Sequence, residues 1–442
     1  MSEIDAQLAK YALKSSDILV PKSTIDLKKW AIVACDQYTS EPEYWSRVAE
    51  YVGSAPSTLH LIYPEVYLDE EHPEHRIASI GSTMQTYLEA DLFDIYENAF
   101  FLIQRITDSA PQGRWGLLAT LDLEAYDFSV DSKSLIRATE ETIIDRIPPR
   151  MKIRHNAALE IPHILVLVDD PNKHLLEPLV EKRDTFPSVY QTELMENGGS
   201  VQAWLIDRPE EHQAIADAIG ALYSDLDTTN PLLYAMGDGN HSLATAKCSW
   251  EEIKQDLTAE EFACHPCRYA LVEIENIHDP ALEFEPIHRV LFGLDENTFQ
   301  QEIAKVCSSF EKHSTADLKE TAVAINGGST AQRFGYIDQY GIGYYTLNGP
   351  KASIAAASLQ TVIDRLLEQG LCTVDYIHGS EVTARIGKSE GNIGLLMPEV
   401  SKNSFFKAVI ADRSFPRKTF SMGAAHEKRF YVEARNIAQP SS

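Results

Sequence analysis

The sequence predicts an α/β protein, with an α+β mixed sheet, in which helices cover the sheet. Short apolar runs typical of strands recur along the chain, and segments with helical periodicity lie between many of them. The chain has 442 residues, of which 44% are hydrophobic and 24% charged, an ordinary globular composition that allows a large core or two domains. Strands flanked by helices in this way should be buried on both faces.

Runs of apolar, β-branched and aromatic residues predict the strands of the first 290 residues. In chain order they are 18–20, 30–35, 59–63, 116–123, 164–168, 201–206, 232–236 and 269–274. Apolar residues at helical spacing predict helices between them, at 44–52, 77–101, 133–147, 211–226 and 241–254. This alternation predicts a large α/β domain over 1–290, which also holds most of the candidate chemistry described below.

The same alternation continues beyond residue 290. It predicts helices at 296–311, 352–369 and 401–411, and strands at 334–337, 343–347 and 394–397. A turn is expected at 326–330, where two glycines follow an asparagine. We therefore predict a C-terminal α+β portion over 291–442, which could pack into the same unit as the first domain.

The charge balance excludes several classes of partner. The 66 acidic residues outnumber the 39 lysines and arginines, which gives a formal net charge of −27. Such a surface repels polyanions, so we expect neither nucleic-acid nor anionic-membrane binding. The start of the chain has no basic stretch leading into an apolar run, no segment approaches a membrane span, and the six cysteines suggest no disulfide framework. We expect a cytoplasmic protein that acts on small molecules.

The strand predicted at 232–236 runs into a glycine-rich turn, Gly237-Asp238-Gly239-Asn240-His241-Ser242. Two glycines permit a sharp turn, which would gather backbone N–H groups and a helix N-terminus at one point where an anion can bind. Sheets of α/β proteins place ligands at strand ends of this kind. The alternative is a tight turn in which Asp238 and Ser242 only cap the following helix. The spacing matches neither a Walker A loop nor a G-x-S-x-G elbow.

A basic cluster stands out in this acidic chain. Arg146, Arg150, Lys152 and Arg154 fall within nine positions, and the proline pair at 148–149 fixes the backbone that holds them. Arginine presents a planar fork that suits phosphate or carboxylate. The alternative is a solvated face whose cations form surface ion pairs with neighbouring acidic residues.

The strand predicted at 30–35 ends in acidic and hydroxyl side chains. Asp36 or Glu41 in such a position could serve as a general base or as a Mg²⁺ ligand. Thr39 or Ser40 could equally cap a following helix, in which case the acids would only favour its N-terminus.

Two further features carry weaker signals. Cys264 and Cys267, with His265 between them, supply only two or three metal ligands and have no second pair at zinc-finger spacing. His288 adjoins Arg289, and His378 follows Asp375 by three positions, so both could carry protons, although a single histidine is more often a structural residue.

Taken together, six segments resemble the bacterial domain-of-unknown-function 1015 family over nearly the whole chain, from about residue 18 to 431. The segments are Trp30 to Ala34-Cys35-Asp36-Gln37-Tyr38-Thr39-Ser40, Ser134-Leu135-Ile136-Arg137-Ala138-Thr139-Glu140, Arg146-Ile147-Pro148-Pro149-Arg150, Gly237-Asp238-Gly239-Asn240-His241-Ser242 with the helix start that follows, Asp375-Tyr376-Ile377-His378-Gly379 and Pro416-Arg417-Lys418-Thr419-Phe420.

The Asp-Gly-x-His core of that family is similar to the Asp-Gly-His-His-Arg motif of the ParB/sulfiredoxin-like fold, whose members include kinases that phosphorylate free serine. This similarity implies a ParB/sulfiredoxin-like core with large additions and an active site that uses a nucleotide, phosphate or pyrophosphate. The sequence departs from the motif where Asn240 replaces the first histidine and Ser242 replaces the arginine. Arg137, Arg146, Arg150 or Lys418 could supply the missing positive charge.

The resemblance implies a small-molecule kinase, with free L-serine as the leading acceptor and pyrophosphate, ADP or ATP as the donor. Positioning and charge neutralisation account for most catalysis of this kind. The implied catalytic positions are Asp36 or Glu41 as the proton acceptor, His241 at the phosphoryl group, and Asp238 as a partner of His241. The implied phosphate- or substrate-binding positions are Arg137, Thr139, Arg146, Arg150, Gly239, Asn240, Ser242, His378, Arg417 and Lys418.

Mg²⁺ is the expected metal, with Asp36 or Asp238 as a ligand. Two alternatives use the same anion site. A phosphatase or other phosphoester hydrolase would take water as the acceptor, and a phosphometabolite-binding protein would bind without turnover.

Overall fold

The computed structural model describes residues 2–68, 70–144, 147–155, 157–327, 331–416 and 418–438. The chain divides into two compact units, unit 1 (Met1–Leu282 with Ala424–Ser442) and unit 2 (Glu283–Gly423). The boundary predicted after residue 290 lies inside a strand, Phe284–Phe292, and the end of the chain returns to unit 1. Strands and helices are numbered below in chain order through both units.

Unit 1 contains a large sheet and the helices around it. Its strands are β1 (Leu13–Lys14), β2 (Ser16–Pro21), β3 (Ile32–Val33), β4 (Phe93–Ile106), β5 (Arg114–Asp122), β6 (Tyr126–Asp127), β7 (Ile136–Arg137), β8 (Leu159–Glu160), β9 (Leu165–Val168), β10 (Ser188–Glu193), β11 (Ser200–Ile206), β12 (Tyr234–Asp238), β13 (Tyr269–Asn276), β21 (Phe430–Tyr431) and β22 (Arg435–Asn436). Its helices are α1 (Glu3–Ala9), α2 (Leu27–Trp30), α3 (Pro42–Val52), α4 (Pro73–Glu89), α5 (Ile147–Arg154), α6 (Glu177–Lys182), α7 (Pro209–Ser224), α8 (Asn240–Ile253) and α9 (Ala259–Cys264).

The strand order of the large sheet is β10-β11-β4-β5-β13-β9-β12-β7-β6, with β1 added on β5 and β2 on β4. β13 runs parallel to β9 and β12 runs parallel to β7, whereas β12 and β9 are antiparallel. The sheet is therefore mixed, and the predicted fold class, α/β with a mixed sheet, is confirmed. β12 has a neighbour on each side, so the residues at its end are surrounded by other strand ends.

The central part of this sheet is buried on both faces. Along β4, Phe100 and Leu102 belong to one core cluster, and Phe101 and Ile103 belong to the other. Successive side chains of a strand point to opposite faces, so a continuous apolar run supplies both cores. The prediction of strands buried on both faces is met by these residues.

The last described segment of the chain returns to unit 1 and pairs with its early strands. β21 is antiparallel to β3, and β22 is antiparallel to β8. Residues 430–431 are thereby held next to residues 32–33, and residues 435–436 next to residues 159–160. This return brings side chains that are distant in sequence to the end of β12.

Unit 2 is an antiparallel sheet with helices. Its strands are β14 (Phe284–Phe292), β15 (Ser309–Ser314), β16 (Gln332–Asp338), β17 (Gly341–Asn348), β18 (Thr373–His378), β19 (Asn392–Leu396) and β20 (Phe420–Met422), and its helices are α10 (Glu296–Ile303), α11 (Leu318–Asn326), α12 (Ala355–Glu368), α13 (Ser380–Gly387) and α14 (Lys402–Asp412). The strand order is β15-β17-β16-β19-β14-β18, with β20 paired to the start of β14. Leu291, Phe299 and Phe334 lie in its main core cluster together with one face of α12.

Several predictions of helices and strands were wrong. In each case the local sequence pattern was compatible with more than one type of secondary structure. The predicted helix 77–101 is α4 followed by β4, and the chain turns between them at Asp91, whose φ is 53°. The predicted helix 296–311 ends at Ile303 and β15 follows. The predicted strand 59–63 is a 3₁₀ turn, Thr58–His60, and the described part of 133–147 holds the short strand β7 instead of a helix. Short apolar runs do not by themselves distinguish helix from strand.

Within the described part of the chain, no helix combines the length and the apolar character needed to cross a bilayer.

Candidate active site

The glycine-rich turn joins the end of β12 to the start of α8. Asp238 is the last residue of the strand, Gly239 has φ 80° and ψ 26°, and α8 begins at Asn240 without a side-chain cap. A Cβ atom at Gly239 would lie 3.1 Å from the Cα of Ile164, so both the backbone angle and the close approach require glycine. Asp238 accepts a hydrogen bond from the N–H of Gly239 at 2.9 Å and does not cap the helix. The capping alternative is therefore not the observed arrangement.

The carboxylate of Asp238 is paired with a lysine from the returning segment. Its Oδ2 lies 3.2 Å from Nζ of Lys428, and the two side chains are only 20% and 10% exposed. Burial opposes ionisation of Asp238, but Lys428 and His163 outweigh it and lower the pKa of this carboxyl below its usual value. Asp238 is thus an anion, and it holds a nearly buried ammonium group at the start of α8.

His163 connects three segments at the same point. Its Nε2 lies 3.2 Å from Oγ of Ser242 and 4.0 Å from Oδ2 of Asp36. Its Nδ1 lies 2.9 Å from Oη of Tyr431, which in turn accepts a hydrogen bond from the N–H of Cys35 at 3.1 Å. The imidazole is therefore oriented from both sides, and its Nε2 faces the turn and the end of the 30–41 segment.

The neighbours of His163 remain protonated at neutral pH. Burial raises the pKa of the Cys35 thiol to about 11, and the nearby Asp36 carboxylate adds to this effect. Burial also raises the pKa of Tyr431 well above its usual value. His163 is therefore hydrogen-bonded to the neutral phenol of Tyr431 and to the hydroxyl of Ser242. The Cys35 thiol beside Tyr431 is also neutral.

A cavity of about 150 Å³ opens beside this cluster within unit 1. Its wall includes Cys35, His163, Ser242, Thr245 and Tyr431. The remainder of the wall is mostly apolar, with charged groups at Glu65, Arg150, Arg154 and Glu160, and with Leu61, Ile62, Tyr63, Leu68, Met84, Ile153, Ala157, Leu159, Ile161, Pro162 and Ile164. Clefts with apolar walls and a few convergent polar groups are the usual form of small-molecule sites.

Arg150, from the predicted basic cluster, lies on this cavity. It forms an ion pair with Glu65, and the two side chains are 15% and 13% exposed. Arg154 pairs with Glu160 at 2.7 Å on the same wall. Both arginines are largely buried against acidic partners, so they do not form the solvated face that was the alternative prediction.

Other predicted residues around the turn make contacts within the protein. Nε2 of His241 accepts a hydrogen bond from the N–H of Ile143 at 3.2 Å, so the hydrogen of the neutral ring is on Nδ1. Thr139 donates its hydroxyl to the carbonyl of Met236 at 2.7 Å and thereby ties its own segment to β12. Oδ1 of Asn240 is buried and makes no hydrogen bond within the described part of the chain.

Arg137 is buried and binds backbone carbonyls. Its guanidinium donates to Ser134 at 2.9 Å, to Pro231 at 2.6 Å and to Asn230 at 3.3 Å. Burial lowers its pKa. These bonds tie the segment around Arg137 to the residues that lead into β12. A phosphate-binding role for Arg137 stays a prediction.

The acidic segment after β3 is only partly gathered at the site. Asp36 is half-buried and lies near His163, as given above, whereas Glu41 is exposed and precedes the first residue of α3. Glu41 itself is the N-cap residue of α3, without a side-chain cap bond, so Thr39 and Ser40 do not cap that helix. A catalytic role for Glu41 stays a prediction.

Four predicted binding residues cannot be assigned to this cluster. His378 and Lys418 belong to unit 2, where His378 is exposed and Nζ of Lys418 lies 4.9 Å from the ring centre of Tyr376. Arg146 and Arg417 lie outside the described residues. Their roles in phosphate binding stay predictions.

Three residues of this site, His163, Tyr431 and Lys428, were not predicted from the sequence. His163 follows a proline just before the predicted strand 164–168, and Lys428 and Tyr431 lie beyond the last predicted helix. A histidine at a strand entry was a detectable signal, because strand ends carry ligands in α/β sheets. Nothing local marked Lys428, whose partner Asp238 is far away in the sequence.

Three solved structures are similar to this chain at low TM-score. A free serine kinase variant in complex with AMP has 11% identity and a TM-score of 0.39, with 72% of this chain and 92% of that chain covered. A conserved hypothetical protein from Pyrococcus furiosus has 11% identity and a TM-score of 0.36, with 71% and 93% covered. SbnI with a C-terminal truncation, from Staphylococcus aureus, has 11% identity and a TM-score of 0.37, with 71% and 85% covered. At these TM-scores the likenesses carry no argument about chemistry.

No curated protein matches the chain. The family described as Protein of unknown function (DUF1015) matches residues 19–366, which is most of the chain and includes the β12–α8 turn, His163 and Asp36. The predicted resemblance to this family is thereby confirmed over residues 19–366, a range that does not include the segments 375–379 and 416–420, and this protein belongs to the DUF1015 family.

Proposed function

We propose that this protein transfers a phosphoryl group from a phosphoanhydride donor to the hydroxyl of a small metabolite. The donors that we consider first are pyrophosphate, ADP and ATP, and the first acceptor is free L-serine. The observation that supports the proposal best is the Lys428 ammonium group, held by Asp238 at the start of α8. An uncapped helix N-terminus and a nearly buried cation together favour a phosphate.

Lys428 supplies a positive charge that the sequence of the turn lacks. The motif of free serine kinases has an arginine where this chain has Ser242, so a phosphate-binding charge is missing from the turn itself. Lys428 comes from the returning segment and supplies a positive charge beside Asp238. A lysine is a point charge on a flexible stem, so it can follow a phosphoryl group between donor and acceptor.

The cavity suits a small acceptor. A cavity of about 150 Å³ is large enough for a ligand of roughly benzene size, as is known from an engineered apolar cavity of that volume. L-serine is of similar size. Arg150 on the wall could receive a carboxylate and Glu65 an ammonium group, since the two side chains already form a charged pair there.

The remaining roles follow from position. Asp36 lies on the His163 side of the cluster and could accept the hydroxyl proton of the acceptor, and Glu41 is the second candidate for this role. His241 lies in the first turn of α8 and could contact the phosphoryl group. Asp238 orients Lys428.

Mg²⁺ is compatible with this site only as a companion of the donor. Among the described residues, no group of three or more His, Cys, Asp and Glu side chains is arranged to hold a metal ion. Mg²⁺ commonly binds through one or two carboxylates and the phosphates of a substrate, and there it neutralises charge. Asp36 fits this role better than Asp238, whose carboxylate is already paired with Lys428.

Phosphorus NMR tests the proposal directly. The purified protein is mixed with Mg²⁺ and L-serine, and pyrophosphate, ADP or ATP is added in parallel samples. We expect O-phosphoserine in at least one sample, and its formation should be strongly slowed in the Lys428→Met variant. If no sample forms a phosphoester, while wild-type protein is folded by circular dichroism, the kinase assignment is wrong for this acceptor.

A phosphoester hydrolase is the second candidate, because the Ser242–His163 pair beside a bound anion could also serve hydrolysis. The same samples separate the two. Release of inorganic phosphate from a phosphomonoester without transfer to L-serine would favour the hydrolase.

A further inference from the structure

Ser242 and His163 form a pair of the kind that activates a serine nucleophile. The hydroxyl oxygen lies 3.2 Å from Nε2 of the imidazole, and Tyr431 contacts Nδ1 at 2.9 Å. Nucleophilic serines are recognised by this geometry, in which a base is within hydrogen-bond reach and a third group orients the base. Tyr431 is itself fixed by the N–H of Cys35, so the base is held in one orientation.

The position of Ser242 on its helix suits attack on a phosphoryl group. It is the third residue of α8, so its hydroxyl lies in the first turn, next to the uncapped N-terminus and near the Asp238–Lys428 pair. The side chain is half-buried and lies on the wall of the cavity. A donor phosphate attracted to the helix N-terminus and to Lys428 would therefore meet the Ser242 hydroxyl directly.

The sequence departs from the kinase motif at this residue. A hydroxyl replaces the arginine, so the turn loses a phosphate-binding cation and gains a group that phosphate can be bonded to. Lys428 provides the charge, as argued above. Lys428 then replaces the charge of the lost arginine, and the hydroxyl of Ser242 takes part in the transfer.

We propose that Ser242 is a phosphorylation site of this protein and carries the phosphoryl group between donor and acceptor, an inference that rests in part on the proposed function. The Oγ–P bond forms as the bond from phosphorus to the leaving phosphate of the phosphoanhydride breaks, and the leaving oxygen keeps the electron pair. The Oγ proton passes to Nε2 of His163, whose Nδ1–H donates to Tyr431. In the second step the acceptor hydroxyl attacks phosphorus and passes its proton to the carboxylate of Asp36, Oγ of Ser242 leaves, and His163 returns its proton to Oγ.

A fluorophosphonate probe tests the nucleophile without any assumption about the donor. Wild-type protein is incubated with the probe and measured by intact mass and peptide mapping. We expect one adduct, on Ser242, with labelling reduced by about 10²-fold or more in His163→Asn. Ser224→Ala, which alters an exposed serine at the end of α7, should label like wild type. Labelling that is absent, or that is unchanged in Ser242→Ala, overturns the proposal.

A donor experiment tests the covalent intermediate. The full-length protein is mixed with pyrophosphate, ADP or ATP and Mg²⁺ but no acceptor, quenched and analysed by peptide mass spectrometry. We expect a phosphoryl group on the peptide that contains Ser242 and its loss when L-serine is added before the quench. Ser242→Ala, checked for folding by circular dichroism, should show neither phosphopeptide nor transfer.

The possible failures are distinguishable. If O-phosphoserine forms at an undiminished rate in Ser242→Ala, the covalent step is wrong and the kinase proposal stands. If the probe labels Ser242 but no donor phosphorylates any acceptor, the nucleophile stands and the kinase proposal fails. Direct transfer without an intermediate would also give sequential kinetics, whereas the covalent route gives ping-pong kinetics.

Discussion

The two units contain strand–glycine–helix turns that look alike in sequence and differ in surroundings. In unit 1, β12 ends at Asp238 and Gly239 precedes α8, and in unit 2, β18 ends at His378 and Gly379 precedes α13. The φ angles of the two glycines are 80° and 86°, and neither helix has a side-chain cap. The ψ angles differ, 26° at Gly239 and 130° at Gly379, so the two turns share a positive φ at glycine and an uncapped helix start but not the whole backbone conformation.

The surroundings of the two turns are not the same. β12 lies between β9 and β7, whereas β18 is at the edge of its sheet. A Cβ at Gly239 would meet Ile164, while a Cβ at Gly379 would meet nothing within 4 Å. Asp238 is paired and largely buried, and His378 is exposed. A glycine turn therefore becomes a candidate site only where neighbouring strand ends and a distant segment bring charges to it.

The largest expected effect concerns one lysine of each unit, Lys428 beside Asp238 and Lys418 beside Tyr376. We expect Lys428→Met to reduce phosphoryl transfer by about 10²–10³-fold, since removing one preorganised charge or donor at a transition state has that effect. Lys428→Arg should retain more activity. Lys418→Met, beside Tyr376 in unit 2, is the matched control and should cost less than Lys428→Met in initial-rate assays. Equal losses in the two variants would mean that the turns do not differ in the way we describe.

The second prediction concerns a histidine of unit 2 that has a structural role. Nδ1 of His288 accepts a hydrogen bond from the N–H of Met397 at 3.0 Å, and burial together with Arg289 lowers the pKa of His288 to about 4. Below pH 6.5 the unfolded chain takes up a proton that the folded protein does not, so stability falls as the pH drops towards 4. The total loss should be about 3 kcal/mol, at roughly 1.4 kcal/mol per pH unit.

Hydrogen exchange of unit 2 peptides at several pH values measures this loss. The variant His288→Asn should remove the pH dependence between 6.5 and 4. All tryptophans lie in unit 1, so their fluorescence reports that unit separately. A slope that persists in His288→Asn would assign it to another group.

The third prediction tests whether Arg137 stabilises the fold around the β12–α8 turn or binds the ligand. Arg137 donates to the backbone carbonyls of Ser134, Asn230 and Pro231, so Arg137→Met leaves partly buried acceptors without this donor. We expect a loss of about 2–3 kcal/mol in the unfolding of unit 1, followed by tryptophan fluorescence in urea. The KM for the phosphoryl donor should change little in protein that remains folded. A large rise in KM without a loss of stability would support the phosphate-binding role predicted from the sequence.

The smallest expected effect is that of Gly239→Ala. A left-handed backbone at a non-glycine residue costs about 1–2 kcal/mol, and the contact with Ile164 adds to it. The loss should appear in the tryptophan transition of unit 1. Gly379→Ala is the matched change in unit 2, and it should weaken exchange protection of α13 while leaving the tryptophan transition unchanged. If both variants act on unit 1, the two units are coupled in stability.

The sequence predicted those parts of the fold that depend on local periodicity. The alternation of strands and helices gave the mixed α/β class, and helices such as α3, α7, α8 and α12 lie close to their predicted ranges. It failed at β4, where a long apolar strand follows directly on α4. A strand buried on both faces has no alternating pattern that would separate it from a helix.

For the site, the sequence by itself determined the β12–α8 turn, the anionic character of the protein and membership of the family. These features depend on residues that are adjacent in the chain, such as Asp238 and Gly239, or on composition. Only the tertiary structure decided that Lys428 pairs with Asp238 and that His163 contacts both Ser242 and Tyr431. The order of strands in the sheet and the return of the chain end set these contacts, and no local pattern encodes contacts between residues so far apart in sequence.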